Sequence, residues 1–320
     1  MVLDLDASIV EIHSENKERT APHFKHGFGS HPMTCFADQT GEMLAAILRP
    51  GNAGANNAAD HLTVLDDSIA QLPVEITLGH RPGDDPGLVA RPVMVRTDSA
   101  GCTRTFIAGC AECNIGFGVV ARQTAQIRGA IGRLSVLDAR WVRTERREGK
   151  HRHVAHVAEI TDLVDLSDWP PRTRLIVRRE KRHPGAQQSL FPSETFRYWA
   201  HYTHQTGTPV ELDTHMRAHA HVEDHIRRLK ASGLERFPFA GLDANRAWLA
   251  LVGMAADLVR WFQLLCCTGA FAKAKPKRMR WTFWRARVVR RAGADTIRII
   301  DGWPTTTDLL AAYEHIAALT

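Results

Sequence analysis

The fold is indicated by the first stretch of the chain, residues 3–13, which reads Leu3-Asp4-Leu5-Asp6-Ala7-Ser8-Ile9-Val10-Glu11-Ile12-His13. Leu3, Leu5 and Ala7 alternate with polar residues, which is the period of a β-strand, and the β-branched run that follows has the same preference. The chain therefore opens inside a strand. Because alternate residues of a strand share a face, Asp4 and Asp6 are expected on the same face of it.

Further strands and helices follow this first strand. Extended runs at 33–37 and 42–48 are joined by the turn Gln39-Thr40-Gly41, which predicts a three-strand antiparallel meander. Periodicity then predicts a helix at 57–71, a strand at 92–98, a helix at about 103–112 and a short strand at 116–121. This order predicts an α/β fold with a mixed sheet and flanking helices.

The middle of the chain has a different texture. Short strand-like pieces at 154–160, 173–179 and 195–202 are separated by prolines and predict a β-rich insertion subdomain over residues 125–212. Helices are predicted at 213–231, 243–267 and 306–319, of which the second is apolar nearly all round and is expected to be buried. The predicted core domain is thus 1–124 together with 213–320, with a C-terminal helical and basic region.

Composition limits the class of protein. The 320 residues are 44% hydrophobic and 24% charged, and 41 Lys and Arg against 35 Asp and Glu give a net charge of +6. These values exclude a disordered chain and a coiled coil, and the basic excess permits a polyanionic partner. Six scattered Cys and the lack of a signal-peptide pattern predict a cytoplasmic protein. The most apolar stretch contains Asp257, Arg260 and Gln263, which favours a buried helix over a membrane span.

Acidic residues at the ends of elements are the candidates for chemistry. Asp6 lies on the first strand, Asp98 at the end of the fourth, and Glu223 on a helix after the insertion. If these carboxylates converge, they suit two Mg²⁺ or Mn²⁺ ions and phosphodiester chemistry. The spacing alone leaves an alternative open, in which Asp98 caps a strand end, Glu223 is solvated and Asp6 faces outward.

Several runs of the sequence resemble bacterial insertion-sequence DDE transposases, specifically the IS thirteen-eighty family. The runs are Leu3-Asp4-Leu5-Asp6-Ala7-Ser8, Pro22-His23-Phe24-Lys25-His26-Gly27-Phe28-Gly29, Leu48-Arg49-Pro50-Gly51-Asn52-Ala53-Gly54, Val95-Arg96-Thr97-Asp98-Ser99-Ala100-Gly101, Arg217-Ala218-His219-Ala220-His221-Val222-Glu223-Asp224-His225-Ile226-Arg227 and Pro276-Lys277-Arg278. The resemblance extends over nearly the whole chain. It implies an RNase H-like catalytic core that is interrupted by the β-rich insertion before the last acidic residue.

The resemblance also implies which residues act. The catalytic and metal-binding acids fall on Asp6, Asp98 and Glu223; Asp6 is chosen because Asp-Ala-Ser matches the Asp-Ala-Thr of the family, and Asp4 is the alternative. Lys230 fits the pattern Tyr-x2-Arg-x3-Glu-x6-Lys of related transposases. The first half of that pattern differs, because Met216 and His219 replace its Tyr and Arg.

The implied activity is metal-dependent cleavage of DNA and strand transfer of an insertion sequence. The partners would be the transposon ends and target DNA, with a homodimer on DNA compatible with bridging two ends. Since members of the family normally carry a DNA-binding segment before the first catalytic strand, a truncated copy is expected. Two alternatives stay open: a non-catalytic DNA-binding remnant, and an RNase H-like nuclease that cuts without strand joining.

Basic residues supply the expected contacts to DNA. The stretch 273–298 interleaves Trp281, Phe283 and Trp284 with cations, a texture typical of phosphate binding and base stacking, although an amphipathic element with solvated arginines fits equally. Cys110-x-x-Cys113 is only a weak zinc signal because a second paired half is missing. The predicted DNA-binding residues are Lys230, Arg217, Arg227, Lys277, Arg278 and Arg280.

Overall fold

The computed structural model describes the chain except residues 15, 135–137, 149–150, 182–195, 283–285, 292–293, 301 and 320. Its residues form two compact units. The first comprises Met1–Ala7, Met33–Gln39 and Ala53–Val222, and the second comprises Ser8–Pro32, Thr40–Asn52 and Glu223–Thr320.

The strands and helices are numbered in chain order. The strands are β1 (Val2–Ala7), β2 (Val10–Glu11), β3 (Ala21–His23), β4 (Gly27–Ser30), β5 (Met33–Ala37), β6 (Met43–Ile47), β7 (Met94–Thr97), β8 (Gly116–Val120), β9 (Val142–Glu148), β10 (His151–Glu159), β11 (Arg174–Lys181), β12 (Phe196–Thr203), β13 (Ala286–Arg291) and β14 (Ala294–Ile299). The helices are α1 (Ala58–Ala70), α2 (Val74–Thr77), α3 (Arg104–Glu112), α4 (Ala125–Arg133), α5 (Pro209–Arg217), α6 (His221–Leu229), α7 (Leu242–Cys266), α8 (Gly269–Ala272), α9 (Pro276–Thr282) and α10 (Thr306–Ala317).

A mixed sheet forms the first unit. Its strands lie in the order β5-β1-β7-β8-β12-β11-β10-β9. Strands β1, β7 and β8 are parallel, and each of the other neighbours is antiparallel. Helices α1 and α3 pack beside β5 and β8, and α5 packs on β10 and β11. The predicted α/β fold class with a mixed sheet and flanking helices is confirmed, and the strand arrangement is consistent with an RNase H-like core.

Helix boundaries in this unit follow local capping signals. The Asn57 side chain accepts a hydrogen bond from the backbone N–H of Ala59, and the Thr103 hydroxyl accepts one from Phe106. These bonds satisfy backbone donors at the first turns of α1 and α3. The sequence-based bounds of both helices therefore agree with the structure to within a residue or two.

The region predicted as an insertion contains strands β9 to β12 and helix α4. Strands β10, β11 and β12 match the three predicted pieces, and they continue the same sheet beyond β8. Helix α4 and strand β9 were not predicted, because α4 contains two glycines and β9 is mostly polar. The domain boundaries at 124–125 and 212–213 stay a prediction.

The prediction of one helix over 213–231 is wrong. That segment is divided into α5, a 3₁₀ turn at Ala218–Ala220, α6 and a π turn at Lys230–Leu234. Helix α5 begins earlier than predicted because Thr208, at its N-cap, and Glu211, in its first turn, form a capping box. Within the π turn, Gly233 has a φ of 140°, a conformation that other residues rarely adopt.

Helix α7 was predicted to be buried because it is apolar nearly all round, and this is wrong for part of its surface. Six of its large apolar side chains are exposed: Leu251, Met254, Leu258, Trp261, Leu264 and Leu265. By length and composition it is the one helix in the described part of the chain that could cross a membrane. Its polar residues nevertheless bond within the second unit, since Asp257 accepts from the Met43 N–H and Gln263 donates to Phe271 O. These contacts favour a helix packed in a folded protein.

Candidate functional site

Asp6 and Asp98 lie at the ends of neighbouring parallel strands. Strand β1 pairs with β7 in a register that places Leu5 opposite Thr97. The next residue on β1 is Asp6, and the next residue after β7 is Asp98. Neighbouring strands lie about 5 Å apart, and the carboxyl ends of parallel strands share one edge of the sheet. The register therefore puts these two predicted acids beside each other.

Local bonds fix both carboxylates. Oδ1 of Asp98 accepts a hydrogen bond of 2.8 Å from the Ala100 N–H, while Asp98 remains exposed. Oδ1 of Asp6 accepts one of 2.7 Å from the Ala7 N–H, and Asp6 is half-buried. The turn after Asp98 is tight, because a Cβ on Gly101 would lie 2.1 Å from Thr97 Oγ1. The backbone thus holds both acids at the sheet edge.

Asp4, the alternative first acid, has a different environment. Its carboxylate accepts two hydrogen bonds from Arg96, 2.8 Å from Nε to Oδ1 and 2.7 Å from Nη2 to Oδ2. Both side chains are 0% exposed. His219 Nδ1 lies 2.8 Å from the same Oδ1. Burial raises the pKa of Asp4, but the hydrogen bonds and charges of His219 and Arg96 outweigh it and leave that pKa lowered. Asp4 is therefore an ionised structural group.

Arg96 extends this buried network beyond Asp4. Its Nη2 lies 3.0 Å from Asp38 Oδ2, and its Nη1 donates to the carbonyl of His215. Asp38 in turn contacts His221 Nδ1 at 2.9 Å. The Arg96 guanidinium thus connects β1 with Asp38, which follows β5, and with the last turn of α5. This role of Arg96 was not predicted, because nothing in the sequence marks Arg96 beyond its place in the run that resembles the transposase family.

Glu223 is the first residue of the last segment of the second unit and lies in the first turn of α6. It is exposed and, among the residues that the structure describes, makes no ion pair. Its neighbour Asp224 instead binds Arg227 and Arg228 at 3.1 and 2.9 Å. The described residues contain no group of three or more His, Cys, Asp or Glu side chains placed to hold a metal ion. The assignment of Glu223 as a third ligand stays a prediction.

Three of the predicted DNA-binding residues line one cleft in the second unit. Its volume is about 890 Å³, and its lining includes Lys230, Lys277 and Arg280 together with Arg236 and Glu235. The indole Nε1 of Trp248 lies 3.2 Å from Gly233 O and 3.0 Å from Arg236 O, so it fixes the π turn that forms one wall. We call this feature the basic cleft. Arg236 and Trp248 were not predicted to belong to it.

The other predicted DNA-binding residues lie elsewhere. Arg217 is half-buried at the end of α5 in the first unit, where its charge helps to lower the pKa of Asp213, although burial outweighs it and leaves that pKa raised. Arg227 is exposed and paired with Asp224, and Arg278 is exposed on α9. Of the aromatic residues in the basic stretch, Phe283 and Trp284 lie outside the described residues.

The Cys110 and Cys113 thiols are both buried. Burial raises the pKa of each thiol. The motif stays a weak zinc signal, since a second paired half is missing from the sequence.

Comparison with known proteins places the chain in a family. A family profile described as "Transposase DDE domain group 1" matches residues 1–320. The chain belongs to this family of DDE transposase domains. No curated protein matches the sequence.

One solved transposase structure shows similarity to this chain. The cryo-EM structure of the piggyBac transposase synaptic complex with hairpin DNA matches 87% of this chain with 8% sequence identity and a TM-score of 0.46. The match covers 50% of that protein, so the chain spans about half the length of the transposase that it matches.

Proposed function

We propose that this DDE transposase domain is of the IS thirteen-eighty kind and catalyses metal-dependent cleavage and strand transfer of DNA. The observation that carries the proposal is the register of β1 and β7, which sets Asp6 beside Asp98 at one edge of the sheet. Two adjacent carboxylates at the ends of parallel strands form an anionic site for cations that bind phosphate. The family match over the full chain supports the assignment of this pair to the acidic residues of a DDE transposase domain.

The side chains fit a divalent cation. Mg²⁺ takes oxygen ligands and is commonly bound by one or two carboxylates together with substrate phosphates, and Mn²⁺ has similar preferences. Asp6 and Asp98 would supply these oxygens, and Glu223 would supply a third. When bound, a pair of such ions lowers the pKa of an attacking water and stabilises the charge on the leaving oxygen.

The protein contributes position to this chemistry. The backbone bonds of Ala7 and Ala100 orient the two carboxylates, and the buried ion pair of Arg96 with Asp4 fixes the register of the strands that carry them. Because Asp4 uses both oxygens within the protein, Asp6 is the acid that remains at the sheet edge. The structure therefore supports Asp6 over Asp4 as the first catalytic residue.

The proposed partners are DNA molecules and a second copy of the chain. The substrates would be transposon ends and target DNA, bound by a homodimer in the cytoplasm. Lys230 would contact the DNA backbone, as the pattern of related transposases suggests, and the basic cleft adds other cations beside it.

The first test is nicking of supercoiled plasmid DNA in the presence of Mn²⁺. The wild-type protein is expected to nick the plasmid, and Asp98→Asn is expected to abolish nicking without unfolding the protein, because Asp98 is exposed. A matched control is Asp165→Asn, since Asp165 Oδ1 accepts a hydrogen bond from the N–H two residues ahead, as Asp98 does. Unchanged nicking by Asp98→Asn would overturn the proposed site.

The products distinguish the two alternatives. Duplex DNA that carries the ends of the insertion sequence should be joined to plasmid through its 3′-hydroxyl by a transposase. Nicking without joined molecules would instead indicate a nuclease. Retention of DNA without nicking, equal in wild type and Asp98→Asn, would indicate a DNA-binding remnant.

A further inference from the structure

We propose that the basic cleft binds the phosphate backbone of DNA independently of divalent metal and of base sequence. The cleft is lined by residues of the second unit, whereas Asp6 and Asp98 belong to the first. The proposal rests on the proposed function for the identity of the polyanion, and it adds where and how part of that polyanion is held.

The charges of the cleft favour a polyanion. Lys230, Arg236, Lys277 and Arg280 line it, against the single acid Glu235. Within the part of the chain that the structure describes, neither Lys277 nor Arg236 forms an ion pair, and both are exposed. Cations that no protein acid neutralises are available for phosphate oxygens, with release of bound counterions from the DNA.

Two of the cations also build the cleft. Lys230 Nζ donates to the carbonyl of Ile9 at 3.2 Å, and the Arg280 guanidinium donates to the carbonyl of Ala231. Burial lowers the pKa of Lys230, with a further contribution from Lys25. Each side chain keeps further N–H donors. Lys230 and Arg280 therefore shape the walls, and Lys277 and Arg236 are the better probes of binding.

The lining also indicates what the cleft recognises. Its polar side chains are cationic apart from Ser232 and Glu235, and it contains no Asn or Gln that could read a base edge. Trp248 uses its only donor, Nε1, for the carbonyls of Gly233 and Arg236. Arg and Lys can also read the edge of guanine, so the proposed independence of base sequence requires that these cations contact phosphate oxygens, which carry no sequence information.

The test measures binding of a labelled random-sequence DNA duplex by fluorescence anisotropy over a series of salt concentrations. EDTA is present throughout, so that metal-dependent cleavage cannot contribute. The binding result is therefore independent of whether the proposed catalysis occurs. Each phosphate contact contributes about 0.9 to the slope of log affinity against log salt. Lys277→Gln and Arg236→Gln are each expected to lower the slope by about 1 and the affinity about five- to tenfold near 0.1 M salt.

Two further variants make the test specific. Lys273→Gln removes the same charge from an exposed residue just before α9 that does not line the cleft, and it should change neither slope nor affinity. Glu235→Gln removes the one acid and should increase affinity. Equal losses in Lys273→Gln and Lys277→Gln, unaltered affinity in Glu235→Gln, or no binding by the wild-type protein would each overturn the proposal.

Discussion

Arg96 and Asp4 form a bidentate ion pair that is fully buried between two parallel strands, one same-face position before Asp98 and Asp6. A buried charge is stable only when its partners replace the lost hydration. Here Arg96 binds Asp4, Asp38 and the His215 carbonyl, and these partners replace the water that its N–H groups lose on burial. The pair therefore ties the strands together directly beneath the candidate acids.

Loss of Arg96 should destabilise the protein strongly. Arg96→Met removes the guanidinium that Asp4 and Asp38 share, so the buried Asp4 carboxylate keeps His219 but loses its bidentate partner. The expected cost is about 3 to 5 kcal/mol in the free energy of unfolding. Urea denaturation measures this value. Arg104→Met is the control, because Arg104 pairs with Asp168 in an exposed position and should cost about 1 kcal/mol or less.

The double variant Arg96→Met with Asp4→Asn separates charge from packing. If the buried Asp4 carboxylate without Arg96 causes the loss, the double variant should be more stable than Arg96→Met alone. Equal stability of the two, or a cost of Arg96→Met no larger than that of Arg104→Met, would contradict a role for the buried ion pair.

The elements that sequence predicted well are those with local signals. Asn57 and Thr103 mark helix starts through bonds to their own first turns, and the alternation in residues 3–7 marks β1. The adjacency of Asp6 and Asp98 was also inferable, because it follows from the order of two parallel strands. For the two helix starts and for β1, the pattern and the structure that it predicts lie close together in the chain.

The features that sequence missed depend on distant partners. Arg96 is separated from Asp4 by 92 positions, and no local pattern pairs them. The basic cleft combines Arg236 and Trp248 with α9, which comes some thirty residues later. Burial of α7 was overestimated. Its apolar residues indicate that it can be buried, but the other elements that pack against it decide how much of its surface is covered.

Asp257 should make stability depend on pH. Burial raises its pKa from 3.8 to about 6, with a further contribution from Glu42. Between these values the folded state binds more protons than the unfolded state, so stability falls as the pH rises from 3.8 to about 6 and then levels off. Asp257→Asn, which keeps an acceptor for the Met43 N–H, should remove this dependence.

Thermal unfolding between pH 4 and pH 8 provides the measurement for Asp257. Above pH 7 the Asn variant should be the more stable by about 1 kcal/mol, or about 2 to 4 °C in Tm, after allowance for partial exposure to solvent. The two proteins should converge near pH 4. A constant difference at every pH would show that Asp257 is not the titrating group.

Gly233 should couple the shape of the basic cleft to its affinity for DNA. Its φ of 140° is strained for any other residue, and a Cβ there would lie 3.0 Å from Val252 Cγ2 and 3.2 Å from Trp248 Cζ2. Gly233→Ala should therefore cost about 1 to 3 kcal/mol of stability and displace Trp248 from the π turn. DNA affinity at 0.1 M salt in EDTA should fall, because the π turn that forms one wall of the cleft would be displaced.

The matched control is Gly132→Ala in α4, where a Cβ meets no atom within 4 Å. In the last turn of this helix the exchange should be neutral or stabilising by up to about 1 kcal/mol, and DNA affinity should not change. Urea denaturation and anisotropy are measured on the same preparations at a temperature where Gly233→Ala remains folded. If Gly233→Ala is destabilised but binds DNA with wild-type affinity and salt slope, the wall formed by the π turn does not position the cations, and the affinity then depends on charge alone.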